Sequence, residues 1–216
     1  MNITARWLLP LLLLLAPALA APAAAQTPVE GQDYVRIADG APWQPLEGQI
    51  EVAEIFSYAC HVCAEFRPML DAWARRQADD VRVSHVPAAY RRQDPFAPMF
   101  FAVQTLGQSD AVHAATFDAV HRRGLLARNA TVAEIRTFYA GLDLDLDRAR
   151  LAEAAQSAEV GQKLGAAQEF LVRSGAEGTP TLVVTGQYRV QGRTLQDVLR
   201  IADQLIAMER AKERAP

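Results

Sequence analysis

Past its first 25 residues, the chain alternates between two hydrophobic rhythms. Tyr34 to Ile37 alternates as a short strand, ended by Asp39, Gly40 and Pro42. Gln49 to Ser57 is rich in Ile, Val and Phe and predicts a largely buried strand. Val62, Phe66, Met69, Leu70 and Trp73 then fall at helical spacing, predicting a helix from about His61 to Gln77 with Pro68 inside it, where it should bend. Val81 to Val86 alternates again. Residues 49–86 thus predict a βαβ unit with two parallel strands.

From about Pro95 to Ser174 no strand pattern is convincing. Helical spacing covers roughly Pro98 to Leu106, Asp110 to Arg122, Val132 to Ala140 and Asp147 to Arg173, the last softened near Gly161 or Gly165. Thr131 and Glu134 form a capping-box pattern. That role explains Thr131 better than the glycosylation pattern it makes with Asn129. Met99, Phe100 and Phe101 suit core packing better than an apolar groove. Thr181–Thr185 and Tyr188–Val190 predict a hairpin about Gly186-Gln187, and Thr194 to about Arg210 a final amphipathic helix. The reading is a single α/β domain (26–94 and 175–216) whose halves flank an all-helical insertion (95–174).

Residues 1–25 differ. Arg6 is their one charge, followed by a leucine run broken by Pro10 and Pro17 and by small residues at Ala18-Leu19-Ala20 and Ala23-Ala24-Ala25. This predicts a secretory signal peptide cleaved after Ala20 or Ala25, and a soluble exported protein. The whole chain carries 22 basic and 25 acidic side chains in 216 residues. Without the leader 191 residues remain and, Arg6 gone, 21 basic side chains against 25 acidic ones. That balance argues against nucleic acid as a partner.

The two cysteines are Cys60 and Cys63. A disulfide across so short a loop removes little chain entropy, so stapling explains it poorly. A zinc site wants about four ligands, and His61, His85, His113 and His121 show no cluster at ligand spacing, so no metal is expected. Redox chemistry remains. Cys60 falls in the N-cap region of the predicted helix, where unpaired N–H groups and the helix dipole favour a thiolate. Cys63, one turn on, is placed to close a disulfide and to be the more buried. Pro180, at the start of the fourth strand, cannot donate to a ladder, and in this setting a cis Thr179–Pro180 bond is expected.

Together these residues resemble the thioredoxin superfamily and, within it, the DsbA-type thiol oxidases. The resemblance rests on the run from Ala53 to Cys63, with an acid six residues before the first cysteine. Phe66, Pro68 and the helical block between the third and fourth strands add to it. It implies a thioredoxin fold with a helical insertion, Cys60 as attacking thiolate and Cys63 as resolving cysteine. Thr179 and Pro180 would face the disulfide and pair with extended substrate, and Glu54 would be a buried acid passing protons to and from Cys63. No cofactor beyond the disulfide is implied. The implied partners are unfolded, newly translocated proteins and a DsbB-type membrane quinone reductase, for a monomer in the periplasm.

Departures from the family pattern concern tuning. Val62 stands where a histidine helps stabilise the thiolate, and His61 takes the first place of the dipeptide. Thr179 replaces a common valine, and Val83 a lysine that often accompanies the acid. Val62 predicts a less oxidising couple, which His61 offsets in part, and Thr179 resembles the isomerase and reductase branches. One rival function is a reductase or isomerase kept reduced by a DsbD-type partner. The isomerase branch is weakened by the few residues between the leader and Tyr34. The second rival is a metal-handling or chaperone-like binding protein using the two thiols and His61.

Overall fold

A computed structural model describes residues 27–88 and 94–214. The predicted signal peptide lies outside the described residues. The elements run β1 (Tyr34–Arg36), β2 (Ile50–Phe56), α1 (His61–Ala74), β3 (Val81–Pro87), α2 (Phe96–Thr105), α3 (Ser109–His121), α4 (Val132–Ala140), α5 (Arg148–Ala155), α6 (Ala158–Ser174), β4 (Thr181–Val184), β5 (Tyr188–Val190) and α7 (Leu195–Glu213).

The strands form one sheet in the order β1-β5-β4-β2-β3. β2 and β3 are parallel, joined by α1 as the sequence predicts, whereas β4 lies antiparallel to β2 on its other side. Every residue of β2 is buried, which explains why its sequence is a near-continuous apolar run. Alternate residues serve two cores. Ile50 and Val52 pack with Phe66, Leu70 and Trp73 of α1 and with Leu199, Ala202, Leu205 and Ile206 of α7. Ala53 and Ile55 join the core filled by Met99, Phe101, Ile135, Tyr139 and Phe170 of the intervening helices. Met99, Phe100 and Phe101 are core residues, all buried. The topology is a thioredoxin fold with all-helical structure between β3 and β4.

The helix expected over 147–173 is two helices. The break is at Gln156 and Ser157, where the Ser157 hydroxyl accepts from the Val160 N–H and caps α6. Gly161 and Gly165, the expected weak points, lie within α6. A serine that satisfies an orphan N–H decides the boundary better than a glycine that merely lowers propensity. α1 ends at Ala74, short of Gln77, and runs without interruption through Pro68. The capping box at Thr131 and Glu134 is complete in both directions.

The β4–β5 hairpin turns at Thr185 and Gly186, both with positive φ (49° and 69°), and closes with the Gln187 N–H donating to the Val184 carbonyl at 2.9 Å. That is the turn whose twist matches paired strands. A β-branched residue resists this conformation. Here the Thr185 N–H donates to the Glu51 carbonyl at 2.8 Å and its hydroxyl to the Val184 carbonyl at 2.9 Å.

Candidate active site

β2 delivers the chain to the end of the sheet, and Cys60 becomes the N-cap of α1, with φ −85° and ψ 118°. No side chain caps this helix, so its first N–H groups remain available to the Cys60 sulfur. Both cysteines are free thiols, Cys60 partly exposed and Cys63 fully buried. The Cys60 thiol lies 3.2 Å from the Thr179 carbonyl, across a cis Thr179–Pro180 bond, as expected.

The two sulfurs differ sharply in acidity. The Cys63 thiol, donating to the Cys60 sulfur, is the largest influence holding Cys60 down to about 5. Partial burial opposes it. The Thr179 side chain and the backbone N–H groups of Cys63 and Val62 reinforce it. Cys63 is pushed far above the ordinary thiol range, first by that same hydrogen bond, then by burial, with the Glu54 charge adding to both. The arrangement sets a good nucleophile and leaving group beside a protonated, shielded partner.

The other predicted residues separate. Val62 contributes its backbone N–H, whereas His61 is exposed to solvent. Glu54 is 1 % exposed, so it does not sit at a wet strand edge, and its Oε2 lies 2.8 Å from His85 Nδ1 on the neighbouring strand. Its Oε1 has no hydrogen-bond partner among the described residues.

Two buried groups escaped the sequence reading. Glu51 Oε2 accepts from the Trp43 N–H at 2.7 Å, and its Oε1 accepts from the Ser84 hydroxyl at 2.8 Å and from Arg82 at 3.4 Å. It ties the segment before β2 to the sheet. His113 of α3 stacks its ring 4.5 Å from that of His85, and its Nδ1 lies 2.8 Å from the Tyr58 hydroxyl. Burial pushes its pKa well down, aided by His85 and Arg67. The expectation that the histidines form no cluster is therefore corrected: Glu54, His85 and His113 converge. Sequence spacing hid this because the three come from β2, β3 and α3. The available signal was the place of His113 four residues before Phe117 on one helical face.

Among the described residues no helix is long and apolar enough to cross a membrane. No protein-family model matches the chain. Among curated proteins it is 32 % identical over 188 residues to the thiol:disulfide interchange protein DsbA of Azotobacter vinelandii, covering 85 % of each chain. The Burkholderia cepacia protein of the same name is 33 % identical over 175 residues, covering 79 % of this chain and 77 % of that one. Among solved structures, the oxidoreductase DsbA from Xylella fastidiosa superposes with a TM-score of 0.81 at 42 % identity, over 86 % of this chain and all of that one. Pseudomonas aeruginosa DsbA gives a TM-score of 0.76 at 28 % identity, over 86 % and 96 %. With more than 30 % identity over most of both chains and a cysteine pair at the start of α1, the chain belongs to the DsbA family of thiol:disulfide oxidoreductases.

Proposed function

We propose that the mature protein works in the periplasm, donating the Cys60–Cys63 disulfide to newly exported proteins. A substrate thiolate attacks Cys60 Sγ, the S–S bond breaks, and Cys63 leaves with the electron pair and takes a proton. A second substrate thiolate then attacks its own sulfur in the mixed disulfide. The substrate disulfide closes and Cys60 departs as a thiolate. The substrate loses two electrons and the cysteine pair gains them. The single observation that carries this direction is the raised acidity of the Cys60 thiol, because a sulfur held near 5 leaves readily and favours the reduced product.

In this reading the Thr179 backbone pairs with an extended substrate segment beside Cys60, as in strand addition, and Pro180 shapes that loop. His61, exposed at the first helical position, contacts substrate, while Val62 tunes the thiolate through its N–H. Glu54, whose charge acts on Cys63, takes part in moving the Cys63 proton. A DsbB-type membrane quinone reductase would restore the disulfide, and the chain would act as a monomer after removal of residues 1–25.

The test is the equilibrium potential of the cysteine pair in graded glutathione buffers, read by thiol alkylation. A donor has a value above about −180 mV. A value near about −270 mV, that of thioredoxin, overturns the donor reading and assigns Val62 and Thr179 to a reductase.

A further inference from the structure

Thiol–disulfide exchange does not account for the whole of the cluster beside it. Glu54 on β2, His85 on β3 and His113 on α3 each offer one ligating atom, and these atoms all lie within 4.8 Å of one another. Two of the groups are left unsatisfied. Among the described residues Glu54 Oε1 and His113 Nε2 have no hydrogen-bond partner, although their residues are only 1 % and 4 % exposed. Burying a polar atom unpaired costs about 1–3 kcal/mol, so each such atom calls for an explanation.

The remaining atoms of the trio are already oriented. His113 Nδ1 is 2.8 Å from the Tyr58 hydroxyl, which leaves Nε2 as the nitrogen free to take a ligand. A metal-bound imidazole ordinarily engages an oxygen through its other nitrogen, which fixes the ring. Tyr58 is itself buried and held by edge contact with Phe56. Arg82 pairs with Glu51 at 3.4 Å and Arg67 with Asp71 at 3.1 Å, and the Arg67 charge also acts on His113.

We infer that Glu54, His85 and His113 form a binding site for one divalent cation of the zinc class, with two imidazole nitrogens and one carboxylate oxygen as ligands. This donor set suits late first-row ions better than magnesium or calcium, which favour oxygen alone. Zinc bonds of about 2.0–2.2 Å place tetrahedral ligand atoms about 3.4 Å apart, so the trio closes by at most about 1.4 Å. His85 makes that movement, since its side chain is 26 % exposed while its partners are packed. A cavity of about 180 Å³, lined by Ser84, Gln104, Ser109 and Asp110 as well as both histidines, leads to the site. It gives the ion a route and leaves space for water as a fourth ligand. The inference is independent of the direction in which the cysteine pair passes electrons.

The experiment uses the full mature protein with its disulfide closed, so that neither thiol can ligate, and cobalt(II) as the spectroscopic probe. One cobalt per chain is expected, with the visible absorption of a four- or five-coordinate nitrogen and oxygen site and no sulfur charge-transfer band, bleached by one equivalent of zinc. His85→Gln and His113→Gln each weaken binding by at least about 100-fold, more than the loss of an outer hydrogen-bond partner does. The double variant Cys60→Ser, Cys63→Ser retains it. Because His113 is packed in the core, circular dichroism accompanies each variant, and His85→Gln at the outer edge decides the test should His113→Gln fail to fold. No cobalt bound to the oxidised protein overturns the site. So does binding that survives the loss of His85, or that vanishes with the cysteines.

Discussion

Changing the pH should separate the two thiols, because one proton and not two accompanies reduction near neutrality. Cys60 ionises at about 5 while Cys63 stays protonated far above neutral pH. In a two-electron couple each proton taken up is worth about 30 mV per pH unit. The potential of the pair therefore falls by about 30 mV per unit above pH 5, and by about 59 mV per unit below it, where reduction yields two thiols. The same proton governs the stability of the dithiol form. The folded value lies below the ordinary 9.0, so between the two the unfolded chain binds more protons and stability rises with pH. It is lost as the pH drops through about 5. A full shift would contribute about 2.7 kcal/mol at pH 7, but the sulfur is partly exposed and screened, so about half of that is expected. The disulfide form lacks this contribution. Glutathione titrations from about pH 4 to pH 8, with urea unfolding of both redox forms, measure the two quantities. A slope of about 59 mV per unit persisting to pH 8 refutes the assignment, because Cys60 would then be titrating as an ordinary thiol.

Two further predictions concern the scaffold. Glu51→Ala strands the Trp43 N–H, the Ser84 hydroxyl and Arg82, and should cost about 3–5 kcal/mol in urea unfolding; a loss below about 1 kcal/mol would show that water replaces the carboxylate. Gly186→Ala places a Cβ 2.0 Å from the Ala41 carbonyl oxygen at a φ of 69° and should cost about 2 kcal/mol or more. Its control is Gly161→Ala in α6, where nothing lies within 4 Å, which should gain about 0.5–1 kcal/mol of stability. Equal effects at the two glycines would sink the argument from backbone crowding.

How far the sequence reading reached depended on whether its signals were local. The period-two runs at Tyr34 and Val81 and the apolar run at Ile50 became strands, and the Cys60 N-cap lay where that apolar strand meets a helical stripe. Thr179 and Pro180 met Cys60 across 119 residues, which was legible only because the resemblance assigned that loop a place. The α5–α6 break was misplaced because a glycine only weakens a helix, whereas Ser157 actively caps the next one. Glu51 carried no signal of its own, while Glu54 in the same strand was singled out by its place six residues before Cys60. Their different surroundings, backbone donors and Ser84 for one and two histidines for the other, arise from tertiary packing. His113 looked like any helical residue until the fold set it against β3.

The complete burial of Cys63 bears on how long a captured protein stays attached. In the proposed exchange an incoming sulfur meets the partly exposed Cys60, so the covalent complexes hang from that one atom. The second thiol waits one helical turn away, at an effective concentration no free thiol in solution approaches. A client lacking a second cysteine in reach is therefore cut loose, still reduced, by an attack from within. Burial of a single sulfur so limits the dwell time of unproductive encounters and keeps the carrier from being titrated away by the chains it serves.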